Sequence, residues 1–275
     1  MRGIVYNPVK TSKRSTAVMV KHEDAATGQG MQDNVKFYTH TLCPYAHRVA
    51  LTLIEKGVQA ETIHIDLSNK PAWYRKVNPR GLVPALVHGG KTLTESLDLC
   101  QYVEEQFPGP ALVPATTEER REAERLIGRC DQFVSAGLQF LSDPSSGSWS
   151  LPGGQIPVKK TGSEVTAFER ELVWLEETLQ RHGGPFFMGV KITLVDLVYF
   201  PFVDRFALAG PAFVDSSVCA LFGRGALQMF LKGIRERDSY RLTSAAPSDH
   251  LAGLKKYRSL DYFDYVSASM ERPCP

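Results

Sequence analysis

The chain has 275 residues, 43% hydrophobic and 23% charged, with 32 Lys and Arg against 30 Asp and Glu and a net charge of +2. That length holds one large or two ordinary domains, each with its own core. The charge is nearly balanced and no basic block is interleaved with aromatics, so there is no footprint for nucleic acid; no apolar run reaches the ~18–20 residues of a membrane span.

The first 30 residues show no periodicity and are rich in Lys, Arg, Ser and Thr, with Glu23 and Asp24 their only acids. Residues 1–33 therefore read as a disordered tail or as an organelle transit segment. Val35 to Tyr38 is a short strand. A helix opens at Cys43-Pro44, because proline suits the first helical turn. Val49, Leu53 and Ile54 recur at helical spacing, and Gly57 is a C-terminal stop. Glu61 to Asp66 alternates like a strand, which completes a βαβ unit with parallel strands. Asn78 to Pro84 is rich in turn residues. Ala85–His88 and Lys91–Thr94 flank Gly89-Gly90 as a hairpin. Glu95-Ser96 then opens a helix that runs to about Phe107, before Pro108-Gly109-Pro110.

The order βαβ then ββα predicts an α/β, thioredoxin-like domain over residues 34–112. After Pro114 strand-like alternation stops, and residues 113–275 are expected to form an all-helical domain. Apolar spacing predicts helices over Glu118–Leu141 and Ser163–Arg181, separated by a Ser/Gly/Pro-rich loop at 142–161. Thr193 and Asp196 form the pattern of an N-capping box, with Ile192 and Leu197 as its hydrophobic staple. The helix behind it, Leu194 to about Ala209, is apolar nearly all round and should be the buried centre of this domain. A further helix is expected over about Ala220–Glu236. Beyond Thr243, Tyr257–Met270 reads as one more helix or as a segment lying across the surface.

Five cysteines occur, at 43, 100, 130, 219 and 274. They are odd in number and scattered, which argues for a reducing compartment and against a disulfide framework. No CxxC, CxxH or HExxH is present, so no metal site is expected. Cys43 alone stands at a helix start, where free N–H groups and the macrodipole favour a thiolate. Ala46 occupies the place of a second CxxC cysteine, so a mixed disulfide on Cys43 would have no internal resolving partner. Cys100, Cys130 and Cys219 read as packing residues, and Cys274 as an exposed one near the end.

The surrounding residues suit a small anionic peptide. Val83, before Pro84 and with a cis bond between them, would offer backbone hydrogen bonds to an extended peptide. Glu95 and Ser96 open a helix whose N–H groups and hydroxyl suit a carboxylate. Lys70 could meet another carboxylate.

From Val35 to Arg237 the sequence resembles the cytosolic glutathione transferases. "CPYAHRV" is similar to the cysteine-centred site of the omega and lambda classes; "DLSNKPAWYRKVNPRGLVPAL", "LTESLDLCQYVEEQFPGPALVP" and "ITLVDLVYFPFVDR" follow the same pattern. The resemblance implies glutathione as co-substrate, Cys43 as the catalytic residue, Lys70 at the glycine carboxylate, Val83 along the cysteinyl backbone, and Glu95 and Ser96 at the γ-glutamyl end. It places Tyr45 and Arg205 in a second-substrate pocket. The activity it implies is thiol transfer, deglutathionylation or dehydroascorbate reduction through a glutathionyl mixed disulfide on Cys43, acting on a small electrophilic or glutathionylated substrate. A non-catalytic glutathione or hydrophobic-ligand binding protein of the same fold is the alternative. The resemblance favours a homodimer and a cytoplasmic location, or a chloroplast or other organelle if residues 1–33 are a transit peptide. His47 replaces a commoner Glu or Gln and is expected to alter the pocket mouth.

Overall fold

The computed structural model describes residues 35–141, 158–159, 162–215 and 217–258. The N-terminal tail, most of the 142–161 loop, Cys274 and all but the start of the Tyr257–Met270 segment lie outside the described residues. A four-stranded sheet has the order β2-β1-β3-β4. β1 (Lys36–Thr39) pairs in parallel with β2 (Glu61–His64), in the register Phe37 to Thr62. It pairs antiparallel with β3 (Ala85–His88), and β3 with β4 (Lys91–Thr94) across the Gly89-Gly90 turn. Both glycines have positive φ, 56° and 75°, the conformation a two-residue hairpin demands.

Alternation along β1 sorts its side chains. Phe37 and Leu86 join the core that lies under the helices, whereas Tyr38 and Ala85 pack with Tyr74 on the opposite face. α1 (Pro44–Lys56) crosses between the two parallel strands as expected. It ends at Gly57, whose φ of 76° lets the next amide, Val58 N–H, turn back to the Leu53 carbonyl at 2.8 Å. A single turn, α2 (Tyr74–Val77), lies within the link to β3, and α3 (Ser96–Gln106) packs beside α1.

The second half of the described chain is largely helical. α4 (Thr117–Leu141) and α5 (Ser163–Gln180) pack side by side, and α6 (Leu194–Phe213) runs through the centre. α6 is buried along most of its length, as its apolar sequence predicts, with Phe200, Phe202 and Phe206 all at most 2% exposed. It continues past Ala209 to Phe213. Within the segment expected to be loop, β5 (Val158–Lys159) pairs in parallel with β6 (Val214–Asp215).

The helix expected over Ala220–Glu236 is broken in two. A 3-10 segment spans Ser217–Gly223, and α7 spans Gly225–Arg235. Gly225 sits at φ 63°, and the Glu176 carboxylate of α5 accepts from Ala226 N–H at 2.7 Å and Leu227 N–H at 2.8 Å. A Cβ on Gly225 would come 2.1 Å from Glu176 Oε1, so only glycine fits this start. Two short helices follow, α8 (Asp238–Thr243) and α9 (Pro247–Arg258), neither of which the apolar spacing predicts.

Charged residues tie the two halves together. Glu55 of α1 accepts from Arg237 Nε and Nη2, both at 2.6 Å, and from the Ser239 hydroxyl at 2.5 Å. Leu194 N–H donates to the Leu112 carbonyl at 2.7 Å. Lys56 is 5% exposed and meets Glu104 at 2.7 Å. Glu55, half-buried, and Lys56, buried, are thus held in specific pairs at the end of α1.

Candidate active site

Cys43 is the N-cap of α1, with Pro44 in the first turn; its N–H donates to the His40 carbonyl at 2.9 Å and its carbonyl accepts from His47 N–H at 3.0 Å. The side chain thereby projects from the end of β1 towards the loop before β3. That loop is held by two donors on one carbonyl: the Tyr74 hydroxyl and Asn78 Nδ2 reach Leu82 O at 2.6 and 2.8 Å. The next peptide bond, Val83-Pro84, is cis, as expected. Val83 O lies 3.8 Å from Cys43 Sγ and accepts from the thiol.

Between these pieces lies a cavity of about 270 Å³. Cys43, Tyr45, Val83, Glu95, Ser96 and Arg205 all contribute to its wall. Lys70 does not. Its stem lies beside Gly81, where an added Cβ would be 3.5 Å from Lys70 Cδ, one residue from the lining residue Leu82. Burial and the Arg75 charge lower the Lys70 pKa.

The ionisation of Cys43 differs from expectation. Burial raises its pKa above the ordinary 9.0; the amides of Ala46 and Tyr45 and the charges of Arg205 and Arg48 act the other way but do not offset it. The helix start supplies the stabilising amides that the sequence implies, yet burial of the thiol outweighs them.

Opposite Cys43, the start of α3 is unusual. Glu95 adopts φ 69°, the only non-glycine positive φ among the described residues, and its carboxylate turns away to pair with Arg80. No side chain caps α3. Ser96, 7% exposed, accepts from Arg48 Nη1 at 3.2 Å. Arg48 has no sequence signal of its own, since it reads as one more polar residue on α1. It is 1% exposed and donates to Val198 O at 2.9 Å and Cys130 Sγ at 3.2 Å, with its guanidinium 4.6 Å from the Phe202 ring centroid and 5.3 Å from that of Tyr45. It thus sets the positions of Ser96 and Tyr45 from behind. Burial, first, pushes Cys130 up to about 12 and Cys100 to about 11, which matches their reading as packing residues.

Arg205 is 3% exposed in the middle of α6. It donates to Pro201 O at 2.8 Å, Leu42 O at 3.3 Å and His47 Nδ1 at 3.2 Å. The expectation that His47 shapes the pocket mouth is overturned. His47 is 3% exposed and absent from the cavity wall, because its place on α1 faces α6 and α8. Arginine only donates, so His47 Nδ1 is the acceptor and Nε2–H donates to Thr243 Oγ1 at 3.0 Å. Burial, with Arg205 and His250, keeps this ring neutral.

Residues 37–111 match the family model for the glutathione S-transferase N-terminal domain, and residues 131–237 that for its C-terminal domain. The chain belongs to the glutathione S-transferase family. Glutathione is the co-substrate of these transferases, and the cavity lies where the sheet domain meets α6 and α9. This transferase is 33% identical to glutathione S-transferase L3 of Arabidopsis thaliana over 225 residues, 80% of the chain and 86% of that protein. It is 28% identical to the same plant's chloroplastic glutathione S-transferase L2 over 253 residues, 90% of the chain and 79% of that protein. Glutathione transferase Omega 2C from Trametes versicolor superposes with a TM-score of 0.64 at 27% identity, covering 82% of the chain and 99% of that structure. Among the described residues no helix is long and apolar enough to cross a membrane.

Proposed function

We propose that this transferase is a single-cysteine thiol transferase. Cys43 as thiolate attacks the glutathione sulfur of a mixed disulfide RS–SG; the Cys43–SG disulfide forms and RS⁻ leaves. A second glutathione thiolate attacks the glutathione sulfur of that disulfide, releasing oxidised glutathione and the Cys43 thiolate. A glutathione-substituted carbon α to a carbonyl can enter the same cycle, and dehydroascorbate reduction draws on the same thiols.

One observation carries the reading: among the described residues Cys43 is the only thiol in the cavity wall, and it faces the Val83 carbonyl, with the uncapped α3 start in the same wall. With Ala46 in the place of a second CxxC cysteine, the intermediate awaits an external thiol. The peptide backbone of glutathione would run along Val83, its γ-glutamyl carboxylate would take the first amides of α3 and the Ser96 hydroxyl, and Lys70 would close on the glycine carboxylate from the rim beside Gly81. The raised thiol pKa lowers the thiolate fraction near neutrality. A more basic thiolate is also a stronger nucleophile, with a Brønsted coefficient of about 0.4–0.5, so roughly half of that loss on a logarithmic scale is offset. Turnover should therefore keep climbing with pH past 9, the ordinary thiol value.

The test is intact-mass spectrometry after oxidised glutathione, with the adduct mapped, alongside turnover of a glutathionylated disulfide. The expected result is one added glutathione on Cys43 and loss of thiol transfer in Cys43→Ser. Full activity in Cys43→Ala would overturn the mechanism. Retention on immobilised glutathione with no turnover would favour the binding-protein alternative. The basic, Ser/Thr-rich residues 1–33 and the chloroplastic relative support an organelle-targeted form, which a fluorescent-protein fusion of those residues would check by its location.

A further inference from the structure

One buried charge stands behind the cavity wall without a counter-ion among the described residues. Arg48 is 1% exposed, and its guanidinium donates only to neutral groups: Val198 O of α6, the Cys130 thiol of α4 and the Ser96 hydroxyl of α3. Cys130 supplies no negative charge, since burial pushes its pKa up to about 12. Asp131, the next residue on α4, is exposed and makes no ion pair with Arg48, and the Glu95 carboxylate faces Arg80 instead. The Phe202 and Tyr45 rings offer their faces, but no full charge. Buried charges are normally paired, because neutral acceptors alone do not offset the loss of water around an ion.

The bond to Ser96 also has a direction. Arginine only donates, so Ser96 Oγ is the acceptor and its own proton is left to give. Among the described residues nothing takes that proton. Ser96 lines the cavity at the first turn of α3, which no side chain caps. A guanidinium on the hydroxyl oxygen polarises the O–H bond and makes it a stronger donor to an anion. We propose that Arg48 is a positioning residue for glutathione: it aims the Ser96 hydroxyl at the γ-glutamyl carboxylate, and that carboxylate completes the buried pair as its counter-ion across the serine. This rests on the placement of glutathione proposed above. Arg48 then has no need to touch the ligand, and the same guanidinium ties α3 to α4 and α6, so the second domain helps to set the glutathione site.

The experiment titrates S-methylglutathione, and its analogue with the γ-glutamyl α-carboxylate converted to a carboxamide, on the wild-type chain, Arg48→Met, Arg48→Lys and Ser96→Ala by calorimetry. The thioether does not exchange with Cys43, so binding alone is read. The wild type should prefer the acid over the amide about 30-fold, and Arg48→Met should cut that preference about tenfold, the scale of one charge-assisted hydrogen bond. Arg48→Lys keeps the charge but not the fork onto Val198 and Cys130, so it should retain most of the preference while Tm falls. If Arg48 only holds the helices together, both ligands weaken alike or lysine has no advantage over methionine; either result overturns the proposal, as does a wild-type preference below about threefold. Ser96→Ala leaves the guanidinium in place and should remove most of the preference; a preference within threefold of the wild type there overturns the proposal whether or not Arg48→Met folds. Glutathione mapped to Cys43 without any carboxylate preference leaves the thiol-transfer reading standing, and the reverse result overturns that reading alone.

Discussion

Two helix starts in this molecule are built in opposite ways. At α6 the start is held by a buried carboxylate: Asp196 accepts from Phe187 N–H at 2.8 Å, Thr193 N–H at 2.7 Å and the Thr193 hydroxyl at 2.8 Å. At α3 the residue in the capping position holds a positive φ, points its carboxylate at Arg80, and leaves the first turn without a side-chain cap. The first start is closed and sealed in the core, with Asp196 fully buried. The second opens on the cavity opposite Cys43. A satisfied helix end stabilises the fold, whereas an unsatisfied one at a cavity is available to an anion.

Substitutions should separate the two roles. Asp196→Ala has the largest expected effect: two buried N–H groups lose their acceptor, and stability should fall by about 2–5 kcal/mol in urea unfolding. A loss under about 1 kcal/mol would show that the closed start is dispensable. Burial raises the Asp196 pKa from 3.8 to about 6, so the native state keeps a proton that the unfolded chain has released in that window. Its contribution is then most favourable below pH 4 and declines as pH rises towards 6, by on the order of 2–3 kcal/mol. Subtracting the pH–stability curve of Asp196→Asn from that of the wild type should isolate this fall; a flat difference would contradict it.

Ser96→Ala should act on the open start. The KM for glutathione should rise about tenfold, equivalent to ~1.4 kcal/mol, while stability falls by about 1–3 kcal/mol through the hydrogen bond lost to the buried Arg48 guanidinium. A large stability loss with unchanged KM would make α3 a structural start like α6. Arg80→Ala is the mildest change. The pair is largely exposed, so unfolding should shift by less than about 1 kcal/mol; the freed Glu95 can swing onto its own helix and compete with the ligand, raising the glutathione KM about twofold, readable by titration.

Much of the frame was legible because its signals are local. Gly89-Gly90 between alternating runs, Pro44 with Gly57 around a helical stripe, and Thr193 with Asp196 each act within one turn or one hairpin, and each formed as read. Cys43, Val83, Glu95 and Ser96 also meet at one cavity, since a βαβ-ββα chain brings the ends of its first strand and the turn before its third together. The misreadings have a common cause. The break before α7 is enforced by Glu176, about 50 residues earlier, and the burial of His47 and Arg48 depends on α6 packing over α1. The Cys43 thiol was read from its own helix start, but its pKa is raised by an apolar wall assembled from distant segments.

The sequence by itself determined the element order, the hairpin and helix ends, and the single thiol at a helix start, because backbone conformation and capping are settled among residues a few positions apart. Tertiary structure alone decided which charges are buried, which helix end stays open, how readily Cys43 ionises and that Arg48 stands behind Ser96. Desolvation and long-range pairing depend on what surrounds a group in space, and no short stretch of chain contains that.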